Sequence, residues 1–195
     1  MVALSFYHIG GELLETFLIL LPAYVANPTA VVFGGSTPID FGKCWRDGKR
    51  ILGDGKTWRG LFGGTLSGGL IGLIMITIYS YFSPSFTIRE AYGGWPEFIF
   101  MSFWIAFGGM FGDMLGSFIK RRRGLKRGEK APGLDQWDFI IGAFILLLPF
   151  PSFLRTNFYD SYSIAGLMLL LILTPAIHRA VNILGYKLGV KKEPW

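Results

Sequence analysis

Residues 112–138 read GDMLGSFIKRRRGLKRGEKAPGLDQWD, a segment in which one acid precedes a dense basic run and two more acids follow it. Asp113 lies inside an otherwise apolar, glycine-rich stretch, while Asp135 and Asp138 stand at the start of the next apolar stretch. An ionisable side chain inside a membrane span is energetically costly and usually functional. Acids beside a dense basic loop at a membrane surface are what a site for a metal ion and a polyphosphate needs.

The composition is that of a membrane protein. Of the 195 residues, 51% are hydrophobic and only 16% are charged, whereas a soluble domain has about 25% charged residues. That balance argues against a nucleic-acid partner, even though the net charge is +6. The single cysteine, Cys44, cannot form an internal disulfide. The amino-terminal segment contains Glu12 and Glu15 but no Lys or Arg, so it lacks the positive start of a cleavable signal peptide.

Five apolar runs predict an all-α, polytopic integral membrane protein with five transmembrane helices in a single catalytic domain over residues 1–195. The fourth run is short, and we expect its helix to begin at or before Asp138. The dipeptide Asn27-Pro28 predicts a break near the end of the first helix. The predicted spans are residues 13–33, 61–82, 98–118, 139–153 and 164–184, and the two large loops are residues 34–59 and 119–137.

The distribution of basic residues predicts the orientation of these helices. All but two of the 19 Lys and Arg residues lie in or beside the two large loops and the carboxy-terminal tail, and the exceptions are Arg89 and Arg155. Cytoplasmic segments next to membrane spans carry an excess of Lys and Arg. We therefore expect the N-terminus outside the cell and the C-terminus in the cytoplasm. Both basic loops, and an active site built from them, would lie on the cytoplasmic side of the cell membrane.

Glycine recurs every four residues along the second and third predicted spans. Small residues at this spacing let two helix backbones approach closely in lipid. We expect tight helix packing along both seams, which would also permit a homodimer, and we expect Asp113 beside the second seam to face protein or water. The glycines concerned are Gly60, Gly64, Gly68, Gly72, Gly108, Gly112 and Gly116.

Three carboxylates make a candidate metal site. Asp113, Ser117 and Lys120 fall on one face of the third helix, where a purely structural ion pair is the alternative. Asp135 and Asp138 share a face if the fourth helix has begun there, although Asp135 suits the N-cap position equally well. Three converging carboxylates would suit Mg²⁺, a hard cation that prefers carboxylate, phosphate and water oxygens.

The first large loop has the composition of a phosphate-binding segment. Lys43, Arg46 and Lys49 recur every three residues, and the glycines of the loop allow turns and close approach to a ligand. Arginine grips phosphate through two hydrogen bonds, while lysine acts as a point charge. A basic loop that merely lies on the membrane surface is the alternative, but that role needs neither the glycines nor the acids. Without zinc-like spacing or a covalent nucleophile, this set of residues fits phosphoryl or nucleotidyl transfer.

Residues 117–121, SFIKR, and residues 135–138, DQWD, resemble the S-x-x-K-R and D-R-x-D signature of a family of CTP-transferring integral membrane enzymes. The best-known members of that family are the CDP-diacylglycerol synthases. Gln136 replaces the arginine of the signature, and this chain is much shorter than those enzymes. In both respects the chain resembles the archaeal branch of that family, the CDP-archaeol synthases. The first-loop sequences TPIDFG at residues 37–42 and RILGDGKTWRG at residues 50–60 resemble the same branch.

The resemblance implies a Mg²⁺-dependent cytidylyltransferase that joins CTP to 2,3-bis-O-geranylgeranylglyceryl phosphate in the lipid bilayer, giving CDP-unsaturated archaeol and pyrophosphate. It implies that Asp113, with Asp135 or Asp138, holds Mg²⁺. A CTP-dependent polyprenol kinase and a small lipid or ion transporter are the alternatives, although no internal repeat supports transport. The catalytic residues implied are Asp113, Lys120, Arg121, Asp135 and Asp138, and the binding residues implied are Asp40, Lys43, Arg46, Lys49, Lys56, Thr57, Arg59, Ser117, Lys120 and Arg121.

Overall fold

The computed structural model describes residues 2–35, 37–83, 86–159 and 161–190. Within these ranges the chain is helical without any β-strand, which confirms the all-α class. The helices are α1 (Val2–Phe33), α2 (Trp58–Phe82), α3 (Ile88–Tyr92), α4 (Trp95–Arg122), α5 (Leu134–Leu147), α6 (Pro151–Phe158) and α7 (Ser161–Lys187).

Four helices in the described part of the chain are long and apolar enough to cross a membrane. They lie in α1, α2, α4 and α7 and cover the first, second, third and fifth predicted spans. The fourth predicted span, residues 139–153, is not one continuous helix, because a turn at residues 148–150 separates α5 from α6. Pro149 and Pro151 explain that interruption, since proline cannot donate the backbone hydrogen bond that continues a helix. With 14 residues α5 is about 21 Å long, against about 30 Å of hydrocarbon.

The first helix is continuous as far as Phe33, and it contains both Pro22 and Pro28. The break predicted at Asn27-Pro28 is therefore wrong. Membrane helices tolerate internal proline where neighbouring groups compensate for the missing hydrogen bond. In this protein Pro22 lies against Gly72 of α2, so the neighbouring helix packs directly on the proline ring.

In the described ranges, successive long helices of the bundle alternate in direction. α2 runs antiparallel to α1, α4 antiparallel to α2, and α5 antiparallel to α4, as the pairs of residues in contact along each seam indicate. α7 runs parallel to α1, with Ser163 beside Glu12 near their starts and Thr174 beside Tyr24 further along. Both large loops and the end of α7 therefore lie at one end of the bundle, and the start of α1 lies at the other.

Both predicted glycine seams are packing surfaces inside the chain. A Cβ on Gly64 would lie 2.6 Å from the Ala26 carbonyl oxygen of α1, and a Cβ on Gly108 would lie 2.7 Å from the Ala143 Cα of α5. Any side chain at these positions would push the paired helices apart. Tight helix packing is thereby confirmed. Because α1 and α5 fill the seams, the predicted homodimer would have to use another surface.

Two short helices, α3 and α6, close the end of the bundle that lies away from the large loops. The Asn157 side-chain amide of α6 donates a hydrogen bond of 2.9 Å to the Ala91 carbonyl of α3. The Tyr92 ring packs on Phe98 and Phe153, with centroids 4.8 and 5.3 Å away. This end of the bundle is aromatic, whereas the charged side chains that could act on a substrate gather at the opposite end.

Candidate active site

The loop between α1 and α2 is organised around the carboxylate of Asp40. This side chain has no exposed surface and accepts hydrogen bonds of 2.7 and 3.2 Å from Arg50. It also accepts from the backbone amides of Gly42, Leu52 and Gly53 at 2.9 to 3.1 Å. Positive φ angles of 78° at Gly42 and 90° at Gly53 let the chain fold around one carboxylate. Its five hydrogen bonds all come from its own loop, so Asp40 acts in this structure as the internal support of the loop.

These hydrogen bonds set the protonation state of the Asp40 carboxyl. Burial of the Asp40 carboxyl would raise its pKa, but the hydrogen bonds from Arg50 and the three amides outweigh burial and hold the pKa well below its usual range. Hydrogen bonds to Asp40 and Asp54 raise the pKa of Arg50. The Asp40–Arg50 pair is therefore fully ionised at neutral pH.

Arg122, near the end of α4, fastens this loop to the helix. Its guanidinium donates to the Asp47 carboxylate at 2.7 Å and to the backbone carbonyls of Lys49 and Arg50. The Lys49 ammonium donates in return to the Arg122 carbonyl at 3.0 Å. The Arg122 guanidinium also lies 5.0 Å from the centre of the Phe118 ring. The first loop is thus held against α4 by contacts that run in both directions.

Two lysine–carboxylate pairs lie where the loops meet the helices. Lys56 Nζ of the first loop is 2.5 Å from Asp113 Oδ2 of α4, although 57 positions separate the two residues in the chain. Lys120 Nζ of α4 is 2.8 Å from Asp135 Oδ1 of α5. The structure therefore brings together four of the residues predicted to form the site, and it pairs Lys120 with Asp135 rather than with Asp113.

Asp135 lies in the first turn of α5 and not at its N-cap, which is Gly133. Its second oxygen accepts the Ala131 backbone amide at 2.8 Å. The alternative that Asp135 serves only as an N-cap is therefore wrong. The carboxylate ties the second basic loop to the start of α5 while one oxygen faces Lys120.

Asp138 of α5 is buried, with 8% of its surface exposed. Its side chain occupies the space that Gly116 leaves on α4, because a Cβ on that glycine would overlap the carboxylate. One oxygen accepts the Phe139 backbone amide at 2.7 Å. The charges of Asp113 and Lys56 lie close enough to act on it electrostatically. Two of the three predicted metal ligands, Asp113 and Asp138, are thus neighbours.

Two arginines approach the glycine turn at residues 53–55. A Cβ on Gly53 would lie 3.8 Å from Arg121 Nη1, and a Cβ on Gly55 would lie 3.5 Å from Arg127 Nε. Among the residues the structure describes, neither guanidinium has a carboxylate partner. The Nε of Arg121 is buried without a hydrogen-bond acceptor, which is a costly state for a charged donor. Two unpaired planar donors beside a glycine turn have the chemistry to hold an anion.

The carboxylates here fit Mg²⁺ if a substrate supplies further oxygens. In the described ranges, no three His, Cys, Asp or Glu side chains are grouped closely enough to hold a metal ion by themselves. Mg²⁺ is usually bound by one or two carboxylates together with phosphate oxygens and water. Asp113 and Asp138 provide two neighbouring carboxylates. Asp135 as a third ligand stays a prediction.

The other predicted binding residues differ in their surroundings. Thr57 caps α2, since its hydroxyl oxygen accepts the Gly60 amide at 3.1 Å. Ser117 is half-buried one turn from Asp113, and its hydroxyl forms no hydrogen bond with any described residue. Three predicted residues are exposed and have no ion pair in the described part of the chain: Lys43, Arg46 and Arg59.

The predicted site did not include Arg50, Arg122 or Arg127, although each has a distinct position here. Arg50 supports Asp40, Arg122 fastens the loop, and Arg127 approaches the glycine turn. All three lie among other basic residues, and their neighbours in the sequence have the same charge. No local signal separates them, because their partners lie in distant parts of the chain.

The fold and the site define a helical membrane protein with a cluster of lysine, arginine and carboxylate side chains at one end of its bundle. A family model described as CarS-like, CDP-archaeol synthase, matches residues 9–195. The chain therefore belongs to the CDP-archaeol synthase family.

Similar proteins support that membership along nearly the whole chain. A CDP-archaeol synthase of Pyrococcus horikoshii is 46% identical over 95% of this chain and 98% of its own length. One from Methanocorpusculum labreanum is 44% identical over 90% of this chain and 100% of its own. A solved structure of an intramembrane enzyme for archaeal membrane lipid biosynthesis is 34% identical, with a TM-score of 0.62. That match covers 85% of this chain and 94% of the solved one.

Proposed function

We propose that this protein is a Mg²⁺-dependent cytidylyltransferase of archaeal phospholipid biosynthesis. It would join CTP to 2,3-bis-O-geranylgeranylglyceryl phosphate and release CDP-unsaturated archaeol and pyrophosphate. Membership of the CDP-archaeol synthase family supports the reaction. The observation that carries the proposal is the approach of Arg121 and Arg127 to the glycine turn at residues 53–55, with neither guanidinium paired to a carboxylate.

The reaction needs charge neutralisation more than proton transfer. An anionic oxygen of the lipid phosphate attacks the α-phosphorus of CTP, a new P–O bond forms, and the bond to the bridging oxygen of pyrophosphate breaks. The attacking oxygen is already deprotonated at neutral pH, so no side chain has to act as a general base. Phosphoryl and nucleotidyl transfer depend mainly on positioning and electrostatic stabilisation.

The basic residues of the site have distinct tasks in this reaction. Arg121 and Arg127 would bind the triphosphate through paired N–H donors. Lys56 and Lys120 would neutralise charge that develops on the phosphates, and their carboxylate partners hold both ammonium groups in position before the substrate binds. Ser117 of α4, whose hydroxyl has no partner among the described residues, would donate to a phosphate oxygen.

Asp113 and Asp138 would hold Mg²⁺, with Asp135 as a further predicted ligand. When bound, the ion would draw electron density from the phosphate oxygens and lower the repulsion between the two anionic substrates. The burial of Asp138 between α4 and α5 keeps its carboxylate fixed in orientation.

For the membrane we propose five crossings, with α5 and α6 together making the fourth. The N-terminus would lie outside, and the two basic loops and the C-terminus would lie in the cytoplasm, as the positive-inside bias predicts. CTP would then reach the site from the cytoplasm while the lipid chains remain among the helices. A single domain over residues 1–195 would contain all of these parts, and a homodimer stays a prediction.

Product analysis tests the reaction. Purified protein in detergent would receive CTP labelled at the α-phosphate, Mg²⁺ and the geranylgeranyl glyceryl phosphate. We expect the label to move into the lipid phase with one pyrophosphate released for each labelled lipid. CDP together with a phosphorylated alcohol would indicate a polyprenol kinase. Intact CTP would contradict the synthase and favour the lipid or ion transporter.

A matched pair of variants tests the observation itself. Arg121→Met removes the guanidinium at the glycine turn, and Arg123→Met removes an exposed guanidinium two positions further on. Hydrogen bonds to charged groups contribute about 1.5–3 kcal/mol, so we expect KM for CTP to rise about tenfold or more in Arg121→Met. Arg123→Met should leave it unchanged. Equal changes in KM in the two variants would show that Arg121 does not bind CTP.

A further inference from the structure

An aromatic ridge extends from α2 onto the first loop. It consists of Phe41, Trp58 and Phe62, whose neighbouring ring centroids lie 6.4 and 6.0 Å apart. All three side chains are exposed, Phe41 by 61% and Phe62 by 67%. None of the three belongs to the hydrophobic core, and much of their apolar surface remains exposed.

The backbone at Phe41 makes its side chain unusual. Phe41 has φ 49° and Gly42 has φ 78°, within a turn closed by a hydrogen bond of 2.8 Å from the Lys43 amide to the Asp40 carbonyl. Turns with two central residues at positive φ favour Asn, Asp or Gly at both positions. A bulky residue there is strained, so turn formation does not account for phenylalanine. We therefore expect the exposed ring of Phe41 to contact something outside the chain.

The position of the ridge indicates what that partner is. Phe62 continues into an exposed apolar stripe on α2 that includes Leu66 and Leu70, at the spacing of one helix face. The 25 residues of α2 are about 37 Å long, against about 30 Å of hydrocarbon, so Trp58 at its start falls at the membrane interface. Tryptophan is enriched at that depth. The ridge is thus continuous with a surface that faces lipid.

We propose that the ridge of Phe41, Trp58 and Phe62 inserts into the interfacial layer of the bilayer and anchors the first loop to the membrane surface. The exposed cations Lys43, Arg46 and Arg59 lie beside it in the sequence and suit anionic headgroups. Anchoring fixes the depth of the loop that carries Lys56. This role concerns the loop surface and does not depend on the reaction that the site performs.

Spin labelling in nanodiscs tests the depth of the ridge. With Cys44→Ser as the parent, Phe41→Cys and Phe62→Cys would each carry a nitroxide, and Lys126→Cys, exposed in the second loop, would be the aqueous control. The nanodiscs would contain phosphatidylcholine and phosphatidylglycerol. We expect collisions with oxygen to exceed collisions with a water-soluble nickel complex at positions 41 and 62, and the reverse at position 126.

Three results would overturn the proposal. A label at position 41 that collides mainly with the nickel complex would mean that the loop lies in water, whatever happens at position 62. Low collision rates with both reagents at position 41 would mean that protein, such as a second copy of the chain, covers the ridge. If Phe41→Cys does not fold, Phe41→Trp keeps an aromatic ring in place. Unchanged quenching by brominated lipids, relative to wild type, would then overturn the proposal.

Discussion

The hydrogen bonds that Asp40 accepts from its own loop lead to a prediction. A substitution at Asp40 should disorder the loop even in the absence of substrate. Asp40→Asn keeps the size of the side chain but replaces one acceptor oxygen by a donor. Oδ1 accepts two hydrogen bonds and Oδ2 accepts three, so either orientation of the amide loses at least two of the five. Each buried donor left without a partner costs about 1–3 kcal/mol. Because Arg50 stays partly exposed and can bind water, we expect a total near 2–4 kcal/mol.

That cost should appear as local opening of the loop. A loss of about 2–4 kcal/mol raises the opening equilibrium by roughly thirty- to a thousandfold. Hydrogen exchange at the amides of Ile51 and Lys56 reports it, since these amides bond to Lys43 and Gly53 carbonyls and not to Asp40 itself. Asp54→Asn is the matched control, because it removes the exposed carboxylate partner of the same arginine.

Hydrogen exchange and KM together distinguish an Asp40 that supports the loop from one that contacts the substrate. If Asp40→Asn leaves exchange at both amides at the wild-type rate while KM for CTP rises, the carboxylate contacts the substrate and does not support the loop. An equal increase in exchange for Asp54→Asn would show that Arg50, and not the buried carboxylate, orders the loop.

Three further predictions follow from the site and the seams. Asp113→Asn should abolish turnover while the protein still folds and purifies as wild type. Glu97→Gln, at the far end of α4, is the control. Near-normal activity of Asp113→Asn would show that Asp113 does not bind the metal ion. Gly112→Ala should lower the free energy of unfolding by about 1–3 kcal/mol in thermal unfolding, because a Cβ there would overlap α5. Gly10→Ala is the control, because a Cβ there meets open space. Equal losses of stability in the two variants would contradict tight packing of α4 on α5. The pKa of Asp40 is lowered, so its stabilisation is complete above about pH 4 and is lost only as pH falls through the lower folded-state value. Exchange protection of the loop should therefore persist at pH 4, and loss there of a protection present at pH 7 would argue against the buried ion pair.

The helices were predictable because their signal is local. Four of the five apolar runs coincide with a helix long enough to span a membrane, and the glycine spacing correctly indicated tight seams. The fourth run failed as a continuous span because Pro149 and Pro151 interrupt it. Pro28, by contrast, did not break α1. The same residue type thus had opposite outcomes in the two helices.

The sequence alone determined that this is an all-helical membrane protein of the CDP-archaeol synthase family, since hydropathy and short motifs are properties of neighbouring residues. Which charged side chains meet depends on how the helices and loops pack. Lys56 reaches Asp113 across 57 positions, and Arg122 reaches Asp47 across 75. Likewise, it is burial within its own loop that makes Asp40 a support. Charge pairs form where helix packing brings distant segments together, and in a chain with so many similar lysines and arginines no local pattern specifies the partner.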